Sequence, residues 1–249
     1  NLKYPEVSII TEILKKLEKL KRPKDGDPWD ASNIAASGQA FFSKRMDQII
    51  NYFSTDNDHL VLGGGCALNS SYNGTILDRL PYKNLHVPSA PGDDGNAIGS
   101  AMLALKEERP HVIIGKKKPF LSPYLGSTLS NEALKRLYKL GGIKNIRHIP
   151  LTIHKETAAL LAEGKLVGWC QGRAEFGPRA LGNRSILADP RSVNMKDKIN
   201  AKIKFREEFR PFAPSILHEY AEDYFENYQE TPYMERTLKF KKEKWDVVP

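Results

Sequence analysis

The chain has 249 residues, 40% of them apolar and 27% charged. That balance suits a soluble globular protein of one large domain or two ordinary ones. No apolar run reaches the roughly 18 residues that a membrane-spanning helix needs, so a spanning segment is excluded. The net charge of +8 fits a solvated surface, a nucleic-acid partner or an anionic small-molecule site, and the placement of the charge has to decide between them. The opening Asn-Leu-Lys-Tyr-Pro has neither a starting Met nor the apolar core of a signal peptide, so a processed or shortened chain is expected. Cys66 and Cys170 lie far apart without metal-type spacing, which favours two reduced thiols in a cytoplasmic protein over a disulfide.

Val7 to Leu20 places Ile10, Ile13, Leu14, Leu17 and Leu20 at helical spacing, with lysines on the other face. A Pro/Gly/Asp-rich loop follows. Residues 31–53 then read as a long helix with Ile34, Phe41, Phe42, Ile49 and Ile50 as its core stripe. Leu60–Leu62 is a short strand entering Gly63-Gly64-Gly65, with a helix expected over about 67–77. Residues 85–88 form a second short strand, followed by Pro91-Gly92-Asp93-Asp94-Gly95-Asn96 and a helix over 97–108. Strand, Gly-rich turn and helix thus occur twice, which is the grammar of an α/β fold.

Prolines 110, 119 and 123 and the run Lys116–Lys118 mark a linker at 113–124, between domains at 1–112 and 125–249. Beyond it, Ser130-Asn131-Glu132 starts a helix that Gly141-Gly142 stops. A short helix is expected over 157–162 and a strand over 166–170. The Arg/Gly/Pro loop follows, then Ser185–Ala188, and helical spacing returns over 194–205. The stretch 233–249 is charged.

Three segments have the composition of sites. Gly63–Gly65, between a strand and a helix, let a ligand approach the backbone, although a plain tight turn explains glycines equally well. Asn69, one turn on, could add a side-chain contact to a nucleotide; no Lys-Ser/Thr follows, so this is not a Walker loop. Asp93 and Asp94 at a helix start have an ordinary explanation in capping, and a second as carboxylate ligands of a cation. The strongest segment is 172–185. Arg173, Arg179 and Arg184 stand among Gly172, Gly177, Pro178 and Gly182, with Phe176 and Leu181 to pin the loop. Arginine offers phosphate a rigid fork of donors and a permanent charge. A structural arginine network is the competing reading. Lys202, Lys204, Arg206 and Arg210 follow; Arg210, between Phe209 and Pro211, is least like a surface charge. The six histidines show no i, i+4 pair for a metal, and no Gly-x-Ser-x-Gly elbow occurs.

Residues 168–191, Gly-Trp-Cys-Gln-Gly-Arg-Ala-Glu-Phe-Gly-Pro-Arg-Ala-Leu-Gly-Asn-Arg-Ser-Ile-Leu-Ala-Asp-Pro-Arg, closely resemble the signature of the nodulation-protein and antibiotic type of O-carbamoyltransferases. The stretches 62–69, 91–95 and 200–215 are similar to the same family, in collinear order. The resemblance implies the second half of an actin-like (ASKHA, RNase H-like) transferase domain followed by a YrdC-like α/β domain, both incomplete. It implies that ATP, with Mg2+, and carbamoyl phosphate form carbamoyl-adenylate in the C-terminal module. The carbamoyl group then passes to a hydroxyl of a small-molecule acceptor. Arg173, Arg179 and Arg184 are the implied catalytic residues. Gly63, Gly64, Asn69, Asn183, Ser185, Lys204, Arg206 and Arg210 are the implied contacts to nucleotide or carbamoyl phosphate. Asp93 matches the family's metal-binding aspartate, with Fe2+ the implied ion.

The family's His-x-x-x-His pair is absent here, and the family pattern runs on past Pro249. The expectation is therefore half-sites without full turnover by the 249-residue chain alone. A cytoplasmic location, no membrane partner and room for a homodimer complete the expectation. Two other classes compete. A nucleic-acid-binding module would show a strong salt dependence, but the arginines lack interleaved aromatic platforms. Another actin-like phosphotransferase, such as a sugar kinase, leaves 168–191 unexplained.

Overall fold

Apolar residues at every third or fourth position become helices where expected, and the two Gly-rich turns sit beside short strands. In the computed structural model, the described residues are 7–112, 121–204 and 209–248. Except for Leu121–Tyr124, the expected linker lies outside the described residues. So do the lysine run at 116–118, Arg206 and the side chain of Lys204. The chain divides into two units, 1–56 and 57–249.

The first unit holds α1 (Val7–Lys19) and α2 (Ser32–Tyr52). A tight helical turn at Pro28–Ala31 precedes α2, and the Asp27 side chain accepts from the N–H of Trp29 at 2.9 Å. The stripe expected as the core of α2 is largely exposed: Ile50 is buried, but Phe41 is 68% accessible. The apolar face of α1 is also exposed, at Ile10, Ile13, Leu14 and Leu17. Periodicity fixes a helix and its apolar face; burial additionally needs an opposing surface.

In the second unit, β1 (His59–Val61) and β2 (Asn84–His86) pair in parallel, with His59 opposite Asn84 and Val61 opposite His86. The helix expected over 67–77 is instead broken into a tight turn at Gly65–Leu68, α3 (Ser70–Asn73) and α4 (Ile76–Arg79). Two causes are visible. The Asn69 side chain accepts from the Tyr72 N–H at 3.1 Å and so starts a new helix. Gly74 packs so tightly that a Cβ there would sit 2.2 Å from the Thr237 carbonyl oxygen. Leu62, Ala67, Tyr72, Ile76, Leu80, Leu85 and Val87 form the buried apolar set around these strands. Beyond β2, the chain turns into α5 (Gly95–Glu108), on which no residue is buried.

α6 (Asn131–Leu140) starts where expected, with the Ser130 hydroxyl accepting from the Ala133 N–H at 3.1 Å. α7 (Ile153–Ala162) begins a turn earlier than expected, beside a 3.2 Å bond from the Thr152 hydroxyl to Glu156. β3 (Val167–Cys170) and β4 (Arg184–Leu187) pair antiparallel, with Cys170 opposite Arg184. α8 (Met195–Ile199) runs into a wider helical turn at Asn200–Lys204, and α9 (Ala221–Tyr224) follows. The described residues thus form a mixed α/β protein with two two-stranded sheets. None of its described helices is long and apolar enough to cross a membrane.

Segments far apart in sequence are joined within this unit. The Asn73 amide donates to the carbonyls of Ala67 and Glu235, both at 2.8 Å. The Thr237 N–H donates to the Ser70 carbonyl at 3.2 Å, and the Arg236 guanidinium donates to the Leu85 carbonyl.

Candidate active site

Two parallel strands that each end in a Gly-rich turn place those turns side by side, at the carboxyl edge where open α/β sheets bind ligands. Here the Gly64 N–H donates to the Pro91 carbonyl at 2.7 Å, tying the 63–65 turn to the 91–95 turn. Gly64 has φ +89°, a value that strains other residues, and a Cβ at Gly63, Gly64 or Gly65 would meet open space. The Asn69 side-chain oxygen is committed to the Tyr72 N–H. Asp94 caps α5, its carboxylate lying 3.2 Å from the Gly95 N–H. Asp93 is exposed. Among the described residues no three His, Cys, Asp or Glu side chains gather into a metal site. Asp93, just before α5, offers a single exposed carboxylate to a cation.

The arginine loop is an excursion between paired strands. β3 leads out, β4 returns, and residues 171–183 are closed at the neck by a bond from the Gln171 N–H to the Asn183 carbonyl at 3.1 Å. Buried Asn183 completes the closure: its amide donates to the Arg173 carbonyl at 2.8 Å, and its oxygen accepts from the Gln171 amide at 3.1 Å. The Arg184 guanidinium donates to the carbonyls of Gln171 and Asn183 at 2.7 Å, Gly172 at 3.2 Å and Ser127 at 3.3 Å. Ser185 accepts from the Gly182 N–H at 3.0 Å. Asn183, Arg184 and Ser185, all expected to meet ligand, therefore build the loop's framework. Arg173 donates to the Leu125 carbonyl at 2.8 Å. Arg191 is held by Asp189, whose carboxyl the hydrogen bonds from Arg191 lower to about 2.

Arg179 differs from these arginines. It is exposed at the loop's apex and has no hydrogen-bond or ion-pair partner among the described residues. It borders a shallow cleft with Leu68, Ser89, Pro91, Tyr233 and Glu235. The loop is seated there by Gly177, whose φ is +127° and whose added Cβ would lie 2.2 Å from the Ser89 carbonyl oxygen. The structure thus brings Arg179 to the same cleft as residues next to the glycine turn. Arg210 is exposed and makes contacts of its own.

Sequence reasoning gave no role to Glu175 or to residues 233–236. Glu175 accepts backbone N–H groups across the loop. Partial burial pulls its carboxyl upward, but the N–H groups of Leu181, Asn183 and Arg184 outweigh this and hold it below the ordinary value. Beneath the cleft, Glu235 and Arg236 are buried side by side. Desolvation raises the Glu235 pKa and lowers that of Arg236. It also lowers that of His86, with help from the Arg236 charge. The Arg236 Nε lies 3.8 Å from Glu235 and has no hydrogen-bond acceptor. A Glu-Arg pair in a charged stretch gives no sequence sign of burial.

The described residues form a mixed α/β protein whose hairpin-borne arginine loop lies at a cleft next to a Gly-rich turn, and comparison with known families supplies the class. Residues 7–102 match the carbamoyltransferase N-terminus and residues 158–249 the carbamoyltransferase C-terminus; the chain belongs to the carbamoyltransferase family. An uncharacterized protein of Synechocystis is 41% identical over 210 residues, 81% of this chain and 34% of that protein. An uncharacterized protein of Methanocaldococcus jannaschii is 36% identical over 247 residues, 95% of this chain and 40% of that protein. Nodulation protein NolNO of Sinorhizobium fredii is 38% identical over 214 residues, 81% of this chain and 30% of that protein. The chain therefore spans between 30% and 40% of the length of these curated relatives.

Proposed function

We propose that this chain is the part of an ATP-dependent O-carbamoyltransferase that activates carbamoyl phosphate. The observation that carries the reading is Arg179: a permanent cation without a partner among the described residues, at the apex of a braced loop, beside the glycine turn. Arg184 spends its two terminal nitrogens on loop carbonyls, whereas Arg179, with no partner among the described residues, has its whole fork to offer a phosphate. Arg173, with donors beyond its one bond to Leu125, is the second candidate.

In the proposed reaction, carbamoyl phosphate and one water give carbamate and inorganic phosphate. A carbamate oxygen then attacks the α-phosphorus of ATP, and the bond to pyrophosphate breaks. Arg179 and Arg173 offset the repulsion of the gathered phosphates and meet the charge that develops on them. The hydroxyl oxygen of a small-molecule acceptor finally attacks the carbamoyl carbon, the bond to AMP breaks, and the hydroxyl proton passes to solvent. The proposal takes the 57–112 region as part of an actin-like module and the region from 125 on as YrdC-like. Mg2+ accompanies the ATP, and Asp93 would contribute a carboxylate to a divalent metal, Fe2+, in the complete enzyme, where the ion would polarise the carbamoyl carbonyl. The setting is cytoplasmic, which free, exposed Cys66 and Cys170 suit.

The test is ATP–pyrophosphate exchange on the longest protein that carries this sequence, with and without carbamoyl phosphate. Exchange is expected only with carbamoyl phosphate, and Arg179→Ala is expected to lower it at least about a hundredfold, as loss of a charge-stabilising donor does. Exchange without carbamoyl phosphate, or undiminished in the variant, overturns the assignment.

A further inference from the structure

The apex of the arginine loop has little to hold it. Pro178, Arg179 and Ala180 make no hydrogen bond of their own among the described residues. The Arg184 guanidinium secures the neck at residues 171, 172 and 183, far from the apex. On the outgoing side, the Phe176 N–H donates to the Pro123 carbonyl at 2.6 Å and Gly177 abuts Ser89. On the returning side, the Leu181 carbonyl accepts from the Tyr124 hydroxyl at 2.8 Å. Beyond the neck bonds of Asn183 and Arg184, the Glu175 side chain joins the two sides across the loop. The Glu175 Oε1 accepts the N–H groups of Leu181 at 2.7 Å, Asn183 at 2.8 Å and Arg184 at 3.3 Å.

A carboxylate this near an anion-gripping arginine works against anion binding unless its charge is spent elsewhere. Here one oxygen is saturated by three N–H dipoles, an arrangement that fixes backbone and absorbs negative charge together. Closing residues 176–180 into an arc is the geometric result, and Arg179 lies in that arc. We infer that Glu175 is a positioning residue for phosphate binding: its carboxylate folds the arc that presents the Arg179 guanidinium to the cleft. The inference rests on the reading of Arg179 as the phosphate-gripping arginine.

All three bonds fall on one oxygen, so the role has a distinctive chemical signature. Glutamine keeps a carbonyl oxygen at the same reach, whereas aspartate is one methylene short and alanine has no acceptor. The experiment measures carbamoyl phosphate affinity of the 249-residue chain by calorimetry for wild type, Glu175→Gln, Glu175→Asp, Glu175→Ala and Arg179→Ala. Amide exchange at Leu181, Asn183 and Arg184 is followed in each protein. The expected result is affinity within about threefold of wild type for Gln, and a loss of about tenfold or more for Asp and Ala, tenfold being the size of one charged hydrogen bond. Amide protection should be lost in step with affinity. If Glu175→Ala does not fold, the contrast between Gln and Asp decides alone. Equal affinity in Gln, Asp and wild type overturns the inference while leaving the phosphate reading intact. Undiminished binding by Arg179→Ala, or no binding by wild type, overturns the phosphate reading and the inference with it.

Discussion

At the scale of single residues, four arginines of one short segment do different work. Arg184 gives its donors to carbonyls of the loop neck, Arg191 to Asp189, and Arg173 in part to Leu125, while Arg179 has no partner among the described residues. Arg184→Ala removes bonds to four carbonyls, of which that of Asn183 keeps the Gln171 N–H, so it should cost about 1–3 kcal/mol, read as a drop in urea midpoint. Arg179→Ala should leave that midpoint unchanged within error while weakening phosphate binding. Glu175 adds a pH dependence of known sign. Its carboxyl is held below the ordinary 4.5 in the folded protein. Its stabilising contribution is therefore complete above that ordinary value and is lost as the pH falls through the lower folded value. The Tm of wild type should exceed that of Glu175→Gln at neutral pH, and the gap should close as the pH drops below 4.5. A gap that stays constant as the pH is lowered from neutrality contradicts it.

At the scale of elements, the parallel strands β1 and β2 bring their two following turns together, and the antiparallel β3–β4 pair makes the arginine loop a closed excursion. Both arrangements depend on close backbone approach. Gly177→Ala would put a Cβ 2.2 Å from the Ser89 carbonyl oxygen at a φ of +127°. Strain and overpacking of this kind cost about 1–3 kcal/mol each. The expected outcome is a lowered Tm together with weaker carbamoyl phosphate binding, because the loop no longer seats at the cleft. Helix boundaries were largely legible in sequence: Ser130 capping α6 and the spacing of α1 and α2 gave those elements directly. The broken segment after the glycine turn was not legible, because Asn69 and Gly74 act through a cap and a distant carbonyl.

For the whole chain, the described contacts gather into the units 1–56 and 57–249. The 57–249 unit is joined across its length by Asn73, Arg236 and Thr237. Limited proteolysis should therefore cut the exposed 54–58 segment and release 57–249 as one body. A cut within 113–120 should leave its two pieces associated through a gel-filtration run; their separation contradicts the described contacts. Asn73→Ala, which removes both amide bonds of a buried side chain, should cost about 2–3 kcal/mol and weaken that association.

The amino-acid sequence by itself determined the α/β grammar, most helices, the arginine loop and the carbamoyltransferase family, because periodicity, caps and motif order are local and survive in one dimension. Only the tertiary structure decided which arginine is without a partner among the described residues, because that depends on where carbonyls such as those of Ser127 and Leu125 arrive in space. It also decided that Glu175 braces the loop and that Glu235 and Arg236 are buried below the cleft. Those outcomes follow from hydrogen-bond partners and burial supplied by distant segments, and a residue's own neighbours in sequence carry no record of them.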